Sequence, residues 1–258
     1  MVVLGSMAAS SVLRAESLKG AHDASGISSA LNHFGVSQED MKKVLAAALE
    51  KGGDYADLFF EHTFNNYVGL QDGAVNRCNS NIDFGVGIRV LAGDQTGYAY
   101  VENVTLKEML NAARTAARIA TGGKATLPVA LTDKPIKTNY YSVKMPWEEV
   151  ILKSKMPYLQ RLNDRIFALD KRVHKVSASL TDTTSHILFC NSEGVMYYDY
   201  RPMVTLGAVC IMEENGKVEN GYAARAYRMG FEFLNDDVVE LLAQEAVAKT
   251  SILFQAVK

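Results

Sequence analysis

Four short turn signals, set between alternating apolar and polar runs, constrain the fold of this chain more than anything else in it. Asp72-Gly73, Gly93-Asp94, Glu193-Gly194 and Asn215-Gly216 each place glycine beside a polar residue, the chemistry of a tight β-hairpin. Hairpins join antiparallel neighbours, whereas parallel strands need a long crossover. A chain punctuated in this way therefore folds around antiparallel sheet.

The segments between the turns carry the matching periodicity. Ala56, Leu58 and Phe60 alternate with Asp57, Phe59 and Glu61; Asn66 to Gln71, Phe84 to Leu91 and Thr96 to Val101 complete a meander. A helix starting near Ser37 precedes it, with Ser37 and Asp40 as an S-x-x-D cap and Met41, Val44, Leu45, Ala48 and Leu49 at helical spacing. Gly52-Gly53 ends that helix. A second helix, from Thr105 to about Thr121, turns Leu106, Leu110, Ala113, Ala117 and Ala120 inward. After Gly122-Gly123 and the stretch from Pro128 to Pro146, the order repeats. A helical segment from Trp147 to Asp170, kinked at Pro157, leads into strands Val173 to Asp182, His186 to Asn191, Val195 to Tyr200, Val204 to Met212 and Gly221 to Tyr227. A last helix runs from Asp236 to about Val257, with Val239, Leu242, Ala243, Ala246, Ser251 and Leu253 on an apolar face. The expected fold is α+β and two-layered, two units of antiparallel strands flanked by helices. The expected divisions are a tail and linker at 1–36, an N-terminal domain at 37–125 and a central domain at 126–258. The tail has two readings. Met1 to Leu13 is apolar and rich in small residues like the core of an export signal, but it lacks the basic residues that should precede one; the alternative is a plain N-terminal tail.

Composition excludes several classes of function. A net charge of −2 over 258 residues gives no electrostatic basis for binding nucleic acid or an anionic membrane. No apolar run reaches the roughly 18 residues of a membrane-spanning helix. Cys78, Cys190 and Cys210 are odd in number, widely spaced and without a CxxC pair, so they read as buried thiols in a reducing compartment rather than as a disulfide framework or a zinc knuckle.

No catalytic or metal constellation is legible. The five histidines, His22, His33, His62, His174 and His186, lack the one-turn helical spacing that brings two imidazoles to one zinc ion, as HExxH does. No G-x-S-x-G elbow, Walker loop or EF-hand loop is present. Gly85-Val86-Gly87 opens like a dinucleotide fingerprint, but Val90 stands where the third glycine belongs, so the glycines mark close backbone approach or a bulge. Glu61 and His62 are adjacent in a strand and point to opposite faces. His174 and His186 bracket one hairpin and are candidates to approach each other. Tyr140-Tyr141 and Tyr197-Tyr198 are candidate cleft linings that more commonly pack. Arg89, on the face opposite Ile88 and Val90, is the one candidate substrate-binding residue, an anchor for a peptide carboxylate; its competing role is a salt bridge.

Three stretches resemble the TldD/PmbA family. They are Asp54-Tyr55-Ala56-Asp57-Leu58-Phe59-Phe60-Glu61 followed by Leu70-Gln71-Asp72-Gly73; Asp83 to Val90 with Gly93; and Thr96-Gly97-Tyr98-Ala99-Tyr100. The later strands and the helix bearing Glu245-Ala246-Val247-Ala248 resemble the family's central domain. The family is also known as microcin-processing proteins or modulators of DNA gyrase; the gyrase role has no basic patch behind it here. The resemblance implies a cytoplasmic zinc metallopeptidase, a dimer of related subunits that degrades or trims unfolded peptides inside a chamber. It implies that this portion walls the chamber and supports dimerisation. The family's HExxxH helix and distal cysteine have no counterpart in this chain, so the resemblance assigns it no catalytic or metal residue and no cofactor of its own; zinc belongs to the complete family protein. The competing expectation is a stand-alone, metal-free subunit that binds a peptide or partner. The apolar close of the chain at Phe254 to Lys258 is read as a domain that something follows, and export remains open if the N-terminus is the remainder of a signal.

Overall fold

The computed structural model describes residues 26–122, 126–136 and 143–255. The first helix, α1 (Ile27–Phe34), buries Ile27, Ala30 and Phe34 at helical spacing and is closed by Gly35 at φ +67°. It lies in a stretch whose beginning reads as linker in the sequence. α2 (Gln38–Leu49) opens on the expected capping box: Asp40 N–H donates to Ser37 Oγ at 3.0 Å, and Ser37 N–H reaches back to Asp40. Two hairpin strands follow, β1 (Tyr55–Gln71) and β2 (Ala74–Ala92), turning at Asp72 (φ +52°) and Gly73 (φ +80°). β3 (Gln95–Val101) and α3 (Leu106–Ile119) come next, then the short β4 (Thr132–Asp133). α4 (Leu152–Leu169) carries Pro157 inside it and is preceded by a 3-10 turn at Trp147–Glu149. β5 (Val173–Asn191), β6 (Val195–Glu214), β7 (Lys217–Tyr227) and α5 (Asp236–Ser251) complete the order. The architecture is α+β.

The strands form one seven-stranded sheet in the order β3-β2-β1-β5-β6-β4, with β7 also on β6. It is antiparallel except where β4 joins β6 in parallel. β1 and β5 run antiparallel as well: Ser192 N–H donates to Ala56 O, and Asp72 N–H donates to Val176 O.

Three strands are longer than the sequence suggests, for physical reasons. β5 runs unbroken through Thr183, Thr184 and Ser185, which read as a break between two strands. Threonine favours the extended backbone, and the hydroxyls find partners on β1: Thr63 with Ser185 at 2.7 Å and Thr183 with Asn65 at 3.2 Å. β1 likewise continues through residues 62–65. β6 continues through Pro202, which lacks the N–H a central ladder needs. The residue falls between the part of β6 paired with β4 (Val195, Met196) and the part paired with β7 (from Val204), so neither ladder loses a bond.

Two compact units interleave along the chain. In the first, α1, α2 and α3 supply Phe34, Met41, Leu45, Met109 and Ala113 to a core with Leu58, Phe60, Val86 and Ile88. In the second, α4 and α5 supply Leu159, Leu162, Ile166, Leu242 and Ala243 to a core with Leu70, Trp147, Leu180 and Leu206. The second unit also buries charge. Lys155 Nζ lies 2.5 Å from Asp182 Oδ2, Asn66 donates to the other carboxylate oxygen at 2.9 Å, and the Trp147 ring sits 5.4 Å from the ammonium. Each charge there meets an opposite charge or a dipole, the condition for keeping an ion away from water.

Candidate functional site

Alternation on β2 buries Val86, Ile88 and Val90 and puts Gly85, Gly87 and Arg89 on the opposite face. The β2–β3 register sets Arg89 opposite Tyr98 and Gly87 opposite Tyr100. Both tyrosines are about half exposed, 57% and 48%. Their rings lean across the glycines: a Cβ on Gly87 would sit 2.5 Å from Tyr98 Oη, and one on Gly85 would collide with Tyr100 Oη. Tyr100 Oη donates to Phe84 O at 3.0 Å. Gly85 and Gly87 are thus close-approach positions, as expected from the sequence: an aromatic ring approaches both, and at Gly85 the backbone oxygen of Val101 does too, 2.5 Å from an added Cβ. Burial, then the charges of Glu102 and Asp83, hold the Tyr100 hydroxyl above its ordinary pKa.

Arg89 completes this face. Its Nε and Nη2 donate to Asp57 Oδ2 at 2.9 and 2.5 Å, and Asp57 is 4% exposed while the arginine side chain is 48% exposed. The salt bridge anticipated as the competing role is present, and the hydrogen bond to Asp57 raises the guanidinium pKa. Nη1 takes no part in that bond. Tyr55, raised in pKa chiefly by burial, receives an N–H from Asn191 at 3.4 Å. The result is a face of aromatic rings with one anchored cation on β2 and β3, the latter the terminal strand of the sheet among the described residues.

A second constellation, which the sequence does not reveal, lies on the helix-bearing side of the same unit. His33 on α1, His62 on β1 and His186 on β5 form a cluster. His62 Nδ1 and His33 Nε2 are hydrogen-bonded at 2.8 Å, and His186 Nδ1 bonds Tyr198 Oη at 2.6 Å. The His33 ring stacks on His186 at 4.6 Å and tilts against His62 at 4.9 Å. The one available signal was the pattern Ile27, Ala30, Leu31, Phe34 followed by glycine, which would have placed His33 on a helix.

The remaining candidates are placed differently from expectation. His174 and His186 lie 12 positions apart on the single strand β5, one in each unit, so no hairpin folds them together. Tyr197 packs on Phe189 with ring centroids 5.0 Å apart, and Tyr198 joins the histidines. Tyr140 and Tyr141 lie outside the described residues. The three cysteines are free thiols, and Cys78, expected to be buried, is exposed on the outer stretch of β2; burial pushes the pKa of Cys190 and Cys210 up, which makes both poor nucleophiles.

Comparison with known proteins bears on the family and the fold. Residues 56–120 match the sequence profile of PmbA/TldA metallopeptidase domain 1, and residues 146–254 match that of the PmbA/TldA metallopeptidase central domain. The chain belongs to the TldD/PmbA family. The metalloprotease TldD homolog of Haemophilus influenzae is 32% identical over 212 residues, covering 79% of this chain and 44% of that protein. The TldD homolog of Buchnera aphidicola from Acyrthosiphon pisum is 29% identical over 211 residues, with coverage of 81% and 43%. This TldD/PmbA chain therefore spans under half the length of these curated relatives. Its fold is shared with a Thermotoga maritima protein described as a candidate modulator of a DNA gyrase (TM-score 0.64, 18% identity, 83% of this chain and 47% of that one). It is also shared with TldE of Thermococcus kodakarensis (TM-score 0.59, 14% identity, 82% and 47%).

A metallopeptidase family implies a metal, and the donors present do not fit one. Zinc requires lone pairs converging from about three ligands. His33 and His62 instead spend their facing nitrogens on each other, and His186 lies stacked on His33. Among the described residues no three His, Cys, Asp or Glu side chains are arranged to hold an ion. No helix among the described residues is long and apolar enough to cross a membrane.

Proposed function

We propose that this chain is the N-terminal and central portion of a TldD/PmbA-type zinc metallopeptidase, which receives extended peptides for hydrolysis by chemistry supplied outside these residues. In this reading it walls the peptide chamber, supports a dimer of related subunits and works in the cytoplasm. The two matched family domains in series, 56–120 and 146–254, support the division into domains at 37–125 and 126–258.

The observation that carries the peptide reading is the tyrosine and arginine face of β2 and β3. A processing enzyme that accepts varied sequences needs contacts common to all of them, and the backbone is what all share. A terminal strand offers a row of backbone N–H and C=O groups to an added strand. Tyr98 and Tyr100 offer apolar area with little entropy to lose, and the outer edge of Arg89 offers a carboxylate partner. Net hydrogen bonds contribute only about 1 kcal/mol each, so binding by this portion should be weak, with Kd on the order of 0.1–1 mM.

Titration of labelled protein with several unrelated unfolded peptides and one proline-rich control tests this. Unrelated peptides should bind alike, the proline-rich peptide, short of N–H donors, should bind about tenfold more weakly, and free-acid peptides should outbind their C-terminal amides severalfold. Equal affinity for the proline-rich control would remove backbone pairing as the mode. Indifference to amidation would remove the role of Arg89.

A further inference from the structure

We propose that α1 is a proton-operated clasp: His33, His62 and His186 hold it against the sheet at neutral pH and release it when the cluster takes up a second proton. The proposal stands apart from the peptidase reading and rests on counting donors and acceptors. The bond between His33 Nε2 and His62 Nδ1 needs one nitrogen with a proton and one without. A first proton leaves it intact, because an imidazolium donates to a neutral imidazole. A second proton on the pair leaves two donors and no acceptor, with two cationic rings 4.9 Å apart.

The third ring closes the alternative route. A second charge placed on His186 sits 4.6 Å from His33 and 6.4 Å from His62, on a residue only 2% exposed. Its bond to Tyr198 Oη survives either state, since a hydroxyl both donates and accepts. The titratable groups that ring contacts and hydrogen bonds place together here include the three histidines with Tyr198 and Tyr200; α1 itself contributes His33, and β2 sets Phe84 against His62. Strand alternation carries the neighbouring carboxylates Glu61, Asp83 and Asp199 to the opposite face.

Apolar contacts hold α1 as well: Ile27, Ala30 and Phe34, the last against Phe60 at 5.6 Å and Phe84 at 5.9 Å. At 8 residues the helix is too short to persist alone, so release and unfolding coincide. The released segment binds more protons than the docked one, so the docked population falls as pH falls, by up to about tenfold per pH unit for each extra proton. Imidazole is the side chain whose charge changes between about pH 5 and 8, so the two sides of that range are the ones to compare.

Amide hydrogen exchange on the full chain at about pH 7.5 and about pH 5 tests this, corrected for intrinsic rates and read as protection of residues 27–34 relative to α2. The expected result is at least about a tenfold relative loss of α1 protection in acid, largely abolished in His33→Gln, whose amide bonds His62 without titrating. Equal relative protection at both pH values in the natural chain, or an undiminished acid response in His33→Gln, overturns the proposal. Should that variant fail to fold, ring NMR of the natural chain decides. The cluster should titrate in more than one step, the last coinciding with loss of α1 protection. A single shared step, or steps without a matching change in α1, overturns it.

Discussion

Lys155→Met should destabilise the protein by about 3–5 kcal/mol, read as a lowered midpoint in urea unfolding without a change in slope. Methionine fills the volume beside Trp147 but leaves the Asp182 carboxylate, 1% exposed, with the Asn66 amide as its remaining named partner. Pairing the change with Asp182→Leu separates two explanations. If the loss comes from a stranded charge, the double variant should recover most of it, because apolar residues of similar volume often replace a buried pair at little cost. If Lys155 matters through its alkyl packing, the double variant should be no better than the single one.

Gly97→Ala should cost about 2–3 kcal/mol, although it adds one methyl group. Gly97 lies on β3 where α3 crosses most closely. A Cβ there would collide with Ala116 O, lie 2.9 Å from Ala116 C and 3.1 Å from Ala120 N, all backbone atoms that no rotamer change can move. The alanines that α3 turns inward, Ala112, Ala113, Ala116 and Ala117, are what permits that approach. Gly93 provides the contrast: it sits at φ +59° with nothing within 4 Å of an added Cβ, so Gly93→Asn should change stability by under about 1 kcal/mol. Thermal unfolding of both variants decides the matter, and a Gly97→Ala midpoint equal to that of the natural chain would mean that α3 is not seated where the structure has it.

Local chemistry was legible in the sequence, and long-range juxtaposition was not. Asp72-Gly73 and Asn215-Gly216 advertise turns because their positive φ values depend on the residues themselves. The Ser37 and Asp40 cap is a contact three residues long. Family membership was legible for the same reason, through short runs such as Asp83 to Val90. The Arg89 bond to Asp57 spans 32 positions and depends on strand register, which no single sequence states. The histidine cluster is harder still. His62 and His186 are 124 positions apart and meet through the pairing of β1 with β5, and His33 arrives on a helix set among glycines and serines that read as linker. Strand lengths misled where Thr183 to Ser185 and Pro202 looked like breaks, because the side-chain partners and ladder gaps that excuse them are tertiary.

The proposed reading has this TldD/PmbA-family chain recognise extended peptide while the metal chemistry lies outside its residues. The most direct test is metal analysis of the purified chain together with hydrolysis of an unfolded peptide, with and without a chelator. The result expected is no stoichiometric zinc and no chelator-sensitive cleavage, since the histidines here bond and stack on one another instead of converging. One tightly held zinc per chain, with peptide hydrolysis lost on chelation, would contradict it.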